Sequence, residues 1–434
     1  MVSPAPPSRA KTALMLAAAV LFSTAFGLAI PNGAEAGATL RISDKQEARS
    51  CAYATKHGSR AQRREYARSC ELVGATDLTP ATRVMGSSAR TQRSTYQNPV
   101  YGFSFPDPGV LQNGTSDYYA YSTGSGFPIL HSTDLVNWRS VGKALPTRPS
   151  WVVPSGDSHP WAASALRTSR SCPGTTSPGC YLLYYTGLSG QHSPTTDCVA
   201  VAYSPAPAGP FSDLGPLQAA DGAADGTGRP LGCGDDAGYG NIDPAPFVDG
   251  DGRAYLYLST SRRCAAPTTG TCPYAPVISV IPLADDLVRA SAPRKPLLVA
   301  SPGTWEQDPD HAAQVENPWM HKRNGIYYLL YSGGYYGASY GMGYATASSP
   351  TGGTPYAAFS KAPINPILSE TADVLSPGGG TTTKGPQGGD WMVYHARAGS
   401  YTQPRTLRID PLVWKKNGSV TVRGPTTAPQ SPAP

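Results

Sequence analysis

After Tyr96 the chain is a succession of short apolar runs, dense in tyrosine and β-branched residues, broken by turn-forming clusters. Tyr118-Tyr119-Ala120-Tyr121, Tyr255-Leu256-Tyr257-Leu258 and Tyr327-Tyr328-Leu329-Leu330-Tyr331 are the clearest runs. Their length and composition predict strands, and Asp249-Gly250-Asp251-Gly252, Asn324-Gly325 and Asn417-Gly418 predict hairpin turns between strands. An apolar period of 3.6 is scarce here, so the region reads as all-β. At this size an apolar core can form.

The pattern divides into five units, at about 98–145, 161–217, 243–299, 316–368 and 375 to the end. Each holds strand signals: 118–122, 129–132 and 138–141 in the first; 181–185 and 199–203 in the second; 255–259 and 277–281 in the third. The fourth has 327–332 and 341–345, and the fifth 391–395, 405–410 and 420–423. Units of three or four strands predict the blades of a five-bladed β-propeller. A β-sandwich is the competing all-β arrangement, but it leaves one further repeat unexplained. Asp107 in Phe105-Pro106-Asp107-Pro108, Asp243 in Asn241-Ile242-Asp243-Pro244 and Glu316 in Val315-Glu316-Asn317-Pro318 precede the next tyrosine run by 11, 12 and 11 residues. A constant offset predicts equivalent positions in repeated units, and repetition around an axis brings such positions to one pocket.

The segment before the first unit differs. Arg9 and Lys11, an apolar run over 13–30 and the small-x-small site Ala34-Glu35-Ala36 read as a secretory signal, giving a mature start at Gly37. The rival, a membrane anchor, lacks stop-transfer charges after Pro31-Asn32-Gly33. No later segment is long and apolar enough to span a bilayer. Residues 45–71 are rich in Ala, Arg, Glu and Gln, interrupted by Gly58, and predict two short helices; 79–95 reads as a linker. The predicted organisation is therefore a signal at 1–36, a basic helical extension and linker at 37–96, and the propeller at 97–434.

Charge separates these parts. The whole chain carries +6, but 37–97 alone holds 11 basic and 5 acidic side chains, which leaves the propeller region close to neutral. A nucleic-acid role for that region has no electrostatic footing. The extension reads as a solvated appendage or propeptide, or as a tether to anionic cell-wall polymers. The eight cysteines fall as near neighbours, Cys51 with Cys70, Cys172 with Cys180, Cys198 with Cys233 and Cys264 with Cys272. In an exported chain an even count predicts disulfides, with sequential pairing as the expectation. A zinc site, the rival reading, lacks close Cys-x-x-Cys spacing.

Two carboxyl groups facing each other across a sugar-sized gap are the apparatus of glycoside hydrolysis. One must be ionised to activate water, the other protonated to release the leaving oxygen. A third acid beside the second raises its pKa by like-charge repulsion.

Several motifs resemble glycoside hydrolase family 43, in that family's order, over about 97–425. They are Asn98-Pro99-Val100 with Phe105-Pro106-Asp107-Pro108, then Ser132-Thr133-Asp134-Leu135-Val136-Asn137-Trp138, the two later acidic motifs, Tyr394-His395-Ala396, and Arg405-Thr406-Leu407-Arg408-Ile409-Asp410. The resemblance implies a five-bladed propeller and inversion at the anomeric carbon. It makes Asp107 the general base, Glu316 the general acid and Asp243 the residue that tunes and orients the acid. Many members hold a channel metal through Gly-Pro-Gly-His. This chain reads Ser376-Pro377-Gly378-Gly379-Gly380, so no metal and no other cofactor is expected. Asn317 follows the acid where Gly or Ala is usual, and either reaches substrate or forms a turn before Pro318.

Trp161 is expected as an apolar wall for a sugar ring or as plain core, and Tyr336, with Tyr335, as mouth lining or packed surface. His395 is a candidate for ligand contact or a hydrogen-bonded core histidine, and Arg405 a partner for the acids. Asp308, Asp310 and His311 read as a solvated loop. The combined expectation is a secreted, monomeric glycosidase acting on plant or microbial cell-wall oligo- or polysaccharide, an α-L-arabinofuranosidase or exo-arabinanase. β-Galactofuranosidase and β-xylosidase are the alternatives in the same chemistry. A non-catalytic carbohydrate-binding propeller is the alternative from another class.

Overall fold

The computed structural model describes residues 95–154, 160–191, 196–224, 226, 228–234, 239–262 and 276–434. The signal, the basic extension with Cys51 and Cys70, and the Cys264–Cys272 pair lie outside these residues.

Strand β1 (Tyr101–Ser104) is followed by the first blade, β2 (Gly109–Gly114), β3 (Asp117–Tyr121), β4 (Pro128–Ser132) and β5 (Arg139–Lys143). The second blade is β6 (Trp161–Thr168), β7 (Cys180–Ser189), β8 (Thr196–Ser204) and β9 (Ser212–Pro216). A short β10 (Gln218–Ala219) leads to the third blade, which contains β11 (Tyr239–Val248), β12 (Ala254–Arg262) and β13 (Val277–Pro282). Strand β14 (Arg289–Ala290) then pairs in parallel with β10, and β15 (Lys295–Val299) completes the third blade. The fourth is β16 (Val315–Arg323), β17 (Ile326–Gly334), β18 (Tyr340–Ala347) and β19 (Ser360–Lys361). The fifth is β20 (Val374–Lys384), β21 (Asp390–Ala398) and β22 (Thr406–Trp414), with β23 (Val420–Val422) and β1 both paired to β22.

Each first strand touches the first strands of both neighbouring blades, from β2 through β6, β11, β16 and β20 back to β2. That closed circuit is the axis of a five-bladed propeller, as the spacing of the strand signals predicts. One boundary differs. Residues 98–104 belong to the last blade and not to the first, because β1 pairs with β22 and Asn98 is clasped to Ile409. The Asn98 amide donates to the Ile409 carbonyl at 2.8 Å, and Ile409 N–H donates back at 2.9 Å. The start of the propeller region thus closes the ring.

The tyrosine-rich runs have a physical reason. A middle strand such as β7 lies between two neighbouring blades and is buried on both faces, so its sequence does not alternate. A buried tyrosine must still bond its hydroxyl. Five of them do so across a blade boundary: Tyr121 to the Pro207 carbonyl, Tyr184 to Leu287, Tyr257 to Pro350, Tyr328 to Gly418 and Tyr118 to Lys384. Each blade interface also has its own apolar core, for example Leu111, Ile129, Leu183 and Ala200 between the first two blades. Disulfides Cys172–Cys180 and Cys198–Cys233 form as paired in the sequence.

Candidate active site

The innermost strands share an irregularity. The ladder slips between Trp161 and Ser164 in β6, Ile242 and Ala245 in β11, Glu316 and Trp319 in β16, and again after Gly378 in β20. Within or beside each slip one residue has a left-handed backbone: Ala162 at φ 42°, Asp243 at 56°, Asn317 at 50° and Gly379 at 58°. Asp107, at φ 52°, takes this position just before β2. Four of the five are not glycine, and each costs on the order of 1 kcal/mol in that region. Strain repeated around one mouth marks a built site.

A belt of hydrogen bonds holds these five residues. A side chain in or just after each second strand accepts the N–H of the strained residue in the next blade. Thr123 Oγ1 takes Ala162 N–H at 2.9 Å, Thr186 Oγ1 takes Asp243 at 3.1 Å, Ser259 Oγ takes Asn317 at 3.0 Å and Ser332 Oγ takes Gly379 at 2.9 Å. His395 Nδ1 takes Asp107 at 3.0 Å and closes the circle.

The belt corrects the alignment of the acids. Asp107 and Asp243 are equivalent, and the third residue of the set is Asn317. Glu316 stands one position earlier: it pairs with Ser332 as Ile242 pairs with Ser259 and Trp161 with Thr186. The counted offset concealed this because loop lengths differ by one. The shared Pro after Asp107, Asp243 and Asn317 is the signal that reveals it.

The three acids nevertheless act on one another electrostatically. Asp107 has a side chain 10 % exposed, bonded by Arg405 Nη1 to Oδ1 at 3.1 Å and by Thr123 to Oδ2 at 2.6 Å. Burial pushes its carboxyl up, but Arg405 and these bonds outweigh it and hold it below the usual range. Burial together with the Asp107 charge lifts Glu316 to about 7, against the bond it receives from Tyr340 at 2.6 Å. Asp243 is pushed well up by burial, then by Glu316 and Asp107, although Ser259 and the Asn317 N–H both donate to its Oδ2 at 3.1 Å. Asp243 and Glu316 are a coupled pair.

Arg405 lies over the ring of Tyr336, 5.1 Å from its centroid, and Tyr336 is 41 % exposed beside Tyr335. Trp161 is half-buried at the start of β6, in the register of Glu316. Asn317 uses its backbone N–H to support Asp243. His395 is 0 % exposed, so it stands behind Asp107 and not on the surface a ligand would touch. Asp308 is no solvated loop residue: it is buried, accepting from His311 at 2.7 Å and from Ser339 at 3.0 Å. Sequence reasoning missed the belt hydroxyls and Tyr340. Their signal is that the tyrosine runs end in Thr123, Thr186, Ser259 or Ser332, with His395 in the last blade.

Next to the belt, Gly109, Ser164, Ala245, Trp319 and Thr381 line a cavity of about 10 Å³, room for about one water. A channel metal does not fit the residues present. A Cβ at Gly379 would meet His395 Nδ1 at 2.7 Å and Asp107 Oδ1 at 2.8 Å, so a coordinating side chain has no space there. Among the described residues, no three His, Cys, Asp or Glu side chains are grouped to hold an ion.

A five-bladed propeller with one depressed and one raised carboxyl at its mouth is the architecture of a glycosidase. Comparison with known proteins agrees. The model of glycosyl hydrolases family 43 matches residues 96–420, and the chain belongs to that family. It is 30 % identical over 336 residues to a β-D-galactofuranosidase of Aspergillus niger, covering 74 % of this chain and 83 % of that one. It is 25 % identical over 336 residues to an extracellular exo-α-(1→5)-L-arabinofuranosidase of Cellvibrio japonicus, covering 72 % and 84 %. The crystal structure of a thermostable family-43 glycoside hydrolase superposes with a TM-score of 0.61 at 29 % identity, covering 78 % of this chain and 99 % of the other.

Proposed function

We propose that the protein is a secreted, monomeric, inverting exo-glycosidase that removes terminal α-L-arabinofuranose from cell-wall oligo- or polysaccharide. Asp107 is the general base, Glu316 the general acid, and Asp243 the partner that keeps a proton in the acid pair. The observation that carries this is the opposite tuning of two carboxyl groups in one site. Asp107 is held ionised by Arg405, and Glu316 is held protonated to about pH 7. A base and an acid of these states are what single displacement by water requires. Trp161, Asn317, Tyr336 and Arg405 surround the acids and bind the sugar, while His395 supports Asp107. A purely binding propeller has no need for carboxyl groups tuned apart, which favours catalysis.

The relative of Aspergillus niger supports a second reading, β-D-galactofuranosidase. The two sugars share their furanose ring configuration and differ in one exocyclic hydroxymethyl group, so one site of this kind suits either. Export is supported by the signal-like segment at 1–36, the two disulfides and the extracellular relative.

The test is a panel of aryl α-L-arabinofuranoside, β-D-galactofuranoside and β-D-xyloside at matched concentrations, with proton NMR of the first-formed sugar. The arabinofuranoside is expected to be cleaved fastest, with inversion. A retained anomer removes the assignment of Asp107 as base.

A further inference from the structure

Glu316 has two oxygens that could carry the transferable proton, and a buried neighbour distinguishes them. Tyr340, the first residue of β18, is buried, and its hydroxyl donates to Glu316 Oε1 at 2.6 Å. Burial and the Glu316 and Asp107 charges push the Tyr340 hydroxyl well up, so it stays a donor at every working pH. A phenol that stays protonated has one hydroxyl proton to donate, and here that proton goes to Glu316 Oε1.

We propose that Tyr340 is a positioning residue that makes Glu316 Oε1 an obligate acceptor and confines the transferable proton to Oε2. The inference rests on Glu316 being the acid. In the step itself the Oε2–H bond breaks, its electron pair remains on the carboxylate, and the proton joins the leaving oxygen as that oxygen takes the electrons of the glycosidic C–O bond, while water gives a proton to Asp107 and bonds the anomeric carbon from the opposite face. The Tyr340 bond, modest to a neutral carboxyl, becomes charge-assisted to the carboxylate being formed.

The glycine run of the last blade belongs to the same device. A Cβ at Gly378 would lie 2.0 Å from the Tyr340 ring, so glycine is what lets the ring reach Glu316. The ring also stacks on His395, with planes 10° apart and centroids 6.0 Å apart. One aromatic pair therefore braces both carboxyls, His395 behind Asp107 and Tyr340 behind Glu316. The titratable and charged groups that face Glu316 are Asp243 from β11, Asp107 before β2, Arg405 before β22, Tyr335 after β17 and Tyr340 itself.

Tyr340→Phe in the full-length protein tests this. The Tyr340 bond favours the carboxylate, so its loss raises Glu316 and moves the basic limb of kcat/KM up by about one pH unit. Below that limb, hydrolysis of an alkyl glycoside is expected to fall about tenfold, and that of an activated aryl glycoside less than about threefold. Difference infrared titration of the Glu316 carboxyl, assigned with Glu316→Gln, reads the same upward shift without needing turnover. A basic limb and carboxyl midpoint that stay put or move down, with equal losses on both substrates, overturn the proposal. Glu316→Gln separates the two ideas: full alkyl-glycoside activity in that variant removes Glu316 as the acid, whatever Tyr340→Phe does.

Discussion

His395 Nδ1 accepts the backbone N–H of Asp107 at 3.0 Å, and this bond fixes the state of the imidazole. Nδ1 as an acceptor places the ring proton on Nε2. Burial and the Arg405 charge push the ring down to about 3, so it is neutral throughout the working range. Arg405 and Thr123 are then what keep Asp107 ionised, and the histidine holds the backbone beneath the carboxylate at a left-handed φ of 52°.

His395→Ala should lower kcat on the order of tenfold or more, because it frees the strained Asp107 backbone and leaves a buried N–H unpaired. His395→Asn places an amide oxygen near the former Nδ1 and should recover much of that loss. Rates for the two variants decide between acceptor and proton carrier: equal impairment would mean that the ring exchanges protons during turnover.

Much of this was legible from residue order. Tyrosine runs between turn signals mark the blades because middle strands are buried on both faces, and the three acidic motifs point to one mouth. The exact register was not legible. Counting from acid to strand does not see that the stretch from Asn317 to Ser332 is one residue shorter than its counterparts, so Glu316 aligns with Asp107 where Asn317 belongs. The clasp of Asn98 on Ile409 was hidden as well, since it joins residues 311 apart and leaves no local pattern. His395 was readable as a partner of something; that its partner is the Asp107 backbone required the folded ring.

Leaving groups should separate the two carboxyls proposed as acid and base. Glu316→Gln is expected to reduce hydrolysis of alkyl glycosides by about a hundredfold or more and of activated aryl glycosides far less, since the latter need little protonation. Asp107→Asn should impair both severely, because water stays unactivated. Michaelis parameters for a series of leaving groups check this. A leaving-group dependence that steepens in Asp107→Asn instead would exchange the two roles.

The pH profile of kcat/KM should hold a plateau on the acid side and fall as pH rises through about 7, where the Glu316–Asp243 pair loses its proton. Arg405→Met should move both limbs to higher pH. The guanidinium lowers Asp107 and also opposes the rise of Glu316, so its removal raises both. Movement of the limbs in opposite directions would contradict this electrostatic arrangement.

Activity should survive chelation. With no room for a side chain at Gly379, the channel offers a divalent ion no protein cage among the described residues. Treatment with EDTA followed by dialysis is expected to leave kcat unchanged. A large loss restored by calcium would mean that waters rebuild a site the side chains do not provide.

Removing the Glu316 carboxyl should stabilise the fold above about pH 4.5, and most at neutral pH and above. Glu316 titrates near 4.5 when unfolded and near 7 in the folded chain. Between those values the folded state holds the extra proton, so the contribution of this group is fully present below pH 4.5 and is lost as pH rises through 7. Glutamine has no proton to lose. Glu316→Gln should therefore match the wild type near pH 4.5 and exceed it at pH 8 by on the order of 2 kcal/mol, allowing for screening at a half-buried site. Asp243 reinforces the sign, because its carboxyl relaxes downward once the Glu316 charge is gone. Denaturant unfolding of both proteins at the two pH values measures the difference. Equal gains at pH 4.5 and pH 8 would show that the stabilisation comes from packing and that Glu316 is an ordinary carboxylate.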